Sequence, residues 1–178
     1  MSSRGETAIL SHLAGVVEPS TVEIVATEPE RAALASAYDL VAVKALAATA
    51  TVTPGAKGAV AVDGRVVADI VQTCVVGLVP VDEHIDEPFC VHFVREAPPL
   101  PKPGTEIVID PDAPDPPEVL TGPTVDVGAL AEETFALAID PYPRAPGAAI
   151  PAELAMDPDD RPDSPFAVLA ALARDPEK

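Results

Sequence analysis

The stretch GAVAVDGRVVADIVQTCVVGLV, residues 58–79, decides the fold. It is dense in Val and Ile, and β-branched side chains fit a pleated, half-buried surface better than a helix. Asp63-Gly64 breaks it with the dipeptide that most favours a two-residue hairpin turn. The spacing predicts strands at 58–62 and 65–79, with a bend near Gly77 because fifteen residues are long for one strand.

Working outward, residues 46–53 and 88–94 have the same strand character, and Pro54-Gly55 marks a turn between the first of these and the central stretch. Residues 80–83 (PVDE) lead into 88–94, and 21–26 is a further strand able to pair at one edge. Short turns between consecutive strands imply antiparallel pairing. A sheet of about five strands follows, either open or partly closed into a barrel.

Helices supply the cover. Thr27 and Glu30 form a capping box around Pro29, and ERAALASAY runs on as helix, with Leu34, Ala37, Tyr38 and Val41 on its buried side. Asp126 caps a second helix over about 127–139, with Leu130, Thr134 and Leu137 on one face, and Asp140-Pro141 ends it. Ser164 and Pro165 open a short third helix carrying Phe166, Leu169, Ala170 and Leu172. The fold class is α+β: an antiparallel sheet packed with two or three helices, in one domain spanning 1–178.

Proline and acid gather in the second half. Only 5 of the 22 prolines precede Glu96, and residues 96–178 hold 17 carboxylates against 5 cations. Segments 97–117 and 142–163 read as mobile, acidic, Pro-rich loops. The whole chain carries a net charge of −18, which repels phosphate and argues against DNA or general nucleic-acid binding. No secretory signal opens the sequence and no stretch approaches the ~18 apolar residues of a membrane helix. A cytoplasmic protein with reduced thiols at Cys74 and Cys90 is the expectation.

Residues for catalysis are sparse. His12, His84 and His92 are the three histidines, and no nucleophile motif or phosphate-binding glycine loop occurs. Glu132 and Glu133 are adjacent, so on a helix they point about 100° apart and read as a solvated face. No catalytic residue and no cofactor are expected. Cys74, His84, Cys90 and His92 have the types for zinc, but Cys74 sits in an apolar run that reads as core. A zinc module remains one alternative and an enzyme of unrecognised type another. Tyr142-Pro143-Arg144 joins an aromatic ring to a cation, a pairing suited to a partner surface.

VDGR at 62–65, ADIVQTCVV at 68–76 and PVDEHIDEPF at 80–89 resemble the YceD family, the large ribosomal RNA subunit accumulation proteins. ERAALA at 30–35, DPYPR at 140–144 and SPFAVLAAL at 164–172 resemble it in the same order, closest to its alphaproteobacterial branch. The resemblance implies a non-enzymatic cytosolic factor supporting accumulation of large-subunit (23S) RNA through precursor processing or subunit assembly. Its implied partner is the precursor large ribosomal subunit, met through ribosomal or processing proteins or the RNA. Many relatives carry a C-x-R-C pair where this chain has Val71-Gln72-Thr73-Cys74, which weakens any metal role here. Arg65, Tyr142, Arg144 and Phe166 are the candidate contacts.

Overall fold

The computed structural model describes residues 9–96 and 116–149. In chain order the elements are β1 (Leu13–Gly15), β2 (Ser20–Val25), α1 (Glu28–Ala37), β3 (Ala42–Pro54), β4 (Val60–Thr73), β5 (Pro80–Val94), β6 (Glu118–Val119), β7 (Thr124–Asp126) and α2 (Val127–Ala138). The main sheet runs β2-β3-β4-β5-β6, antiparallel except where β6 joins β5, and β1 pairs with β7 in a separate two-stranded ribbon. The α+β expectation holds. The sheet is open, with β2 and β6 at its edges, and does not close into a barrel.

Strict alternation builds the core. Leu46, Ala48, Ala50 and Val52 of β3 face inward beside Val60, Val62, Val66, Ala68 and Ile70 of β4, while Thr49, Thr51 and Thr53 face out. Small residues on β3 let α1 approach closely. Leu34 of α1 and Phe135 of α2 are fully buried against this face, and the rings of Tyr38 and Phe135 meet edge-to-face with centroids 5.8 Å apart. Phe135 is the largest fully buried side chain among the described residues, and replacing it with Ala would cost about 3–5 kcal/mol.

Both described helices start where the sequence places them. The Glu30 carboxylate accepts from the backbone N–H and the hydroxyl of Thr27, each at 2.7 Å, and Asp126 accepts from Ala129 N–H at 3.1 Å. Their buried faces differ from expectation. On α1, Leu34 is buried but Ala37 is exposed, and past its end Tyr38 is half-buried and Val41 exposed. On α2, Val127, Gly128, Ala131 and Phe135 are buried, while Leu130 packs half-buried at the margin of the core, Thr134 is half-buried and Leu137 turns away to solvent. Gly128 decides that rotation: a Cβ there would lie 1.3 Å from the Leu10 carbonyl oxygen, so the helix meets the N-terminal segment backbone to backbone.

Asp63-Gly64 does not turn. It lies in the middle of β4, where Gly64 pairs with Ala50 on one side and Phe89 on the other. The reversal between β3 and β4 occurs at residues 55–59, closed by Gly55 N–H to Ala59 O at 2.8 Å, with Lys57 and Gly58 at positive φ. Strand β4 ends at Thr73 rather than 79, and a turn at Cys74–Leu78 brings the chain back as β5, already extended from Pro80. The third helix at Ser164 and most of the two Pro-rich segments lie outside the described residues.

Candidate interaction site

Where β4 turns into β5 the sheet ends in an apolar tip. Cys74 N–H bonds Val79 O at 2.8 Å and Leu78 N–H bonds Cys74 O at 3.0 Å, which closes the turn tightly. Leu78 takes φ of 53°, a left-handed conformation that costs a non-glycine residue roughly 1–2 kcal/mol. The turn holds this branched apolar residue 77% exposed, with Val75 and Val79 beside it, each 46% exposed. An exposed cluster of this kind, rather than scattered single residues, makes the tip a candidate contact surface.

The loop after α2 is fastened to the same tip. Gln72 Nε2 donates to Asp140 O at 2.9 Å, Val75 N–H donates to Pro143 O at 2.9 Å, and Ala145 N–H reaches Cys74 Sγ at 3.3 Å. Pro143 is buried between Tyr142 and Arg144, so both flanking side chains project outward, Tyr142 at 72% exposure. Glu83 lies inward beside Asp140, and burial pushes its carboxyl above the ordinary value. A cleft of about 500 Å³ opens next to the loop, lined by Tyr38, Val41, Gln72, Val75, Ile139 and Pro143.

Tyr142 and Arg144 are therefore brought together with Val75, Leu78 and Val79. Arg65 is not among them. It sits on the outer face of β4, eight residues before Thr73 and so roughly 26 Å along the strand. Its guanidinium grips Asp86 through two nitrogens, one of them Nη2 to Oδ2 at 2.7 Å, which occupies its charge. Phe166 lies outside the described residues. The sequence signals for the tip were present in the run VVGLV, which strand propensity alone reads as a continuing strand.

The zinc candidates separate. Cys74 is buried at the tip, whereas His84, Cys90 and His92 line the exposed face of β5. Cys90 Sγ stands 3.9 Å from His92 Nδ1, and His84 Nδ1 meets Asp69 Oδ1 at 2.8 Å. Among the described residues no three His, Cys, Asp or Glu side chains gather as a metal site.

The two adjacent glutamates also part company. Glu132 is not merely solvated: it accepts from Leu10 N–H at 3.0 Å and from the Tyr38 hydroxyl at 3.1 Å, tying α2 to α1 and to the N-terminal segment. Burial, and then the Glu132 charge and hydrogen bond, push the Tyr38 phenol up to about 12. Glu133 is exposed.

No curated protein and no solved structure matches this chain. A family match covers residues 62–173, more than half the chain, under the description large ribosomal RNA subunit accumulation protein YceD. It takes in β4 from Val62 onward, the apolar tip, β5, α2 and the loop bearing Tyr142 and Arg144, and leaves α1 and the first three strands outside. The chain belongs to the YceD family.

Proposed function

We propose that this protein is a non-enzymatic, cytoplasmic factor that supports accumulation of large-subunit ribosomal RNA by contacting proteins of the precursor large subunit. The family's description ties it to that RNA. The observation that carries the mode of action is the apolar tip, where Val75, Leu78 and Val79 are exposed on a braced turn and Tyr142 is exposed on the loop fastened to it.

Charge favours a protein partner over bare RNA. Each phosphate neutralised needs a cation, and 11 Lys and Arg stand against 29 Asp and Glu. Of the cations expected to reach a partner, Arg65 is committed to Asp86, and Arg144 stands beside the tip. No described helix is long and apolar enough to cross a membrane. The test is complementation: a depleted strain carries wild-type protein or a Leu78→Ser, Tyr142→Ala variant, and mature and precursor large-subunit RNA are measured against small-subunit RNA. The reading expects a selective fall in the large-subunit species with the variant. Equal restoration by both proteins would remove the tip from the mechanism.

A further inference from the structure

Strand β5 pairs with β4 from Pro80 to Phe93, but on its other side it meets β6 at Phe93 and Val94 alone among the described residues. From Pro80 to His92 that second edge faces no strand among the described residues. Alongside part of it, a groove of about 710 Å³ runs between residues 87–91 of β5 and the side of α2. Phe89 and Val91 form one wall, and Leu130 and Leu137 the other. Leu137 is 81% exposed, the apolar residue that sequence periodicity assigned to the core. Glu87, Glu118 and Glu133 rim the groove, and none makes an ion pair among the described residues.

An unpaired strand edge offers backbone donors and acceptors to an added strand, and alternate side chains of that strand enter whatever pockets flank it. At about 3.4 Å per residue, a groove along five residues takes an extended segment of four to six residues. Pro88 lies in this edge and removes one donor, as is common where a strand must resist indiscriminate pairing. We infer that the β5–α2 groove binds an extended peptide segment of a partner protein that alternates apolar residues with Lys or Arg, added as a strand beside β5.

Charge complementarity selects that occupant. A second copy would bring the same acidic edge against itself, setting carboxylates opposite carboxylates. The rest of this chain is also a poor match: residues 97–115 carry one lysine and four carboxylates, and residues 150–178 carry three cations and seven carboxylates. Nucleic acid is repelled by the same rim. The surface lies roughly 24 Å along β5 from the apolar tip, so it is a second contact. It rests on the proposed protein-contacting role only for where such a peptide comes from.

The test uses the full-length, isotope-labelled protein and the peptide acetyl-(Lys-Val)4-amide, titrated by NMR at low salt. The expected result is shifts confined to the amides of residues 81–92, 118–119 and 130–138, with binding weakened at least tenfold by Glu87→Lys, Glu118→Lys and Glu133→Lys together. Acetyl-(Glu-Val)4-amide, and a lysine peptide methylated at every backbone nitrogen, should bind at least tenfold more weakly to the unaltered protein. Equal binding of either comparator would overturn the inference, as would shifts elsewhere. Failure of the lysine peptide to bind while these edge amides are already protected in the free protein would show the chain's own residues occupying the groove, and would overturn it too. Ribosomal RNA levels do not enter this test, so its failure and that of the proposed function are read separately.

Discussion

The ring of Phe89 lies across Gly64 on the neighbouring strand, so close that a Cβ at position 64 would sit 2.3 Å from the ring's Cζ. The aromatic ring covers a residue that has no side chain of its own to pack, and this converts the strongest hairpin signal in the sequence into the middle of a strand.

Gly64→Val is accordingly expected to displace the Phe89 ring and lower stability by about 1–3 kcal/mol, as overpacking does. In a Phe89→Ala background the same substitution should be neutral or stabilising, because valine suits a strand better than glycine. Urea unfolding of the four proteins measures this coupling directly. Additive effects would show that the ring does not constrain Gly64.

Asp126 predicts a pH dependence. Burial alone would raise its carboxyl, but the Ser11 hydroxyl and the N–H groups of His12, Ala129 and Gly128 outweigh this and hold it below the ordinary 3.8. A depressed folded value means that the stabilisation is complete above the ordinary value and disappears as pH falls through the folded one. Asp126→Ala should cost about 1–2 kcal/mol at pH 7, from the lost cap and the stranded donors. The gap between variant and wild type in chemical unfolding should narrow below about pH 4. Glu83 works in the opposite sense: its raised value makes ionisation unfavourable, so Glu83→Gln should stabilise the protein near neutrality, with the gain fading as pH falls through the raised value.

The two cysteines should label at different rates. A hydrogen bond to Asp63 above all, then burial and the Asp63 charge, push the Cys90 thiol up, so less of it is thiolate at pH 8 than in a free cysteine. Asp63→Asn should speed its reaction with a disulfide reagent severalfold. Backbone N–H groups, that of Ala145 first, lower the Cys74 thiol, yet the residue is fully buried and should react only on unfolding.

Leu78→Gly separates stability from contact. Glycine adopts a φ of 53° freely, so the turn should gain about 0.5–1 kcal/mol net of the extra flexibility of the unfolded chain. The midpoint of thermal unfolding should rise while large-subunit RNA falls in the complemented strain. A rise in both would mean that the leucine is not a contact.

Much of the framework was legible because short-range chemistry dictates it. Thr27, Glu30 and Asp126 announce their helices, and strand alternation from Leu46 to Ile70 survives intact. What failed depends on partners distant in sequence. Gly64 needs Phe89 opposite it, and the rotation of α2 needs the Leu10 carbonyl against Gly128, more than a hundred residues away. Leu130, Thr134 and Leu137 have helical spacing, but so do Val127, Ala131 and Phe135, and only the backbone contact at Gly128 chooses between the faces. The site divided in the same way. Tyr142 and Arg144 enter the candidate surface from their residue types, whereas Leu78 and Val75 enter it through a turn that propensity reads as strand.

The ribbon of β1 and β7 has a consequence for how the molecule is made. Leu13 pairs with Asp126, and His12 O accepts from Val127 N–H, so the first strand has no partner until more than a hundred further residues have been synthesised. Strands β2 to β5 form a meander of local pairings that close quickly as they emerge. During translation the N-terminal segment lacks its strand partner while β2 to β5 are completed, and it gains one only when β7 and α2 follow. Among the described elements, the last pairing that synthesis permits is thus the joining of the N-terminal segment to the distant second helix.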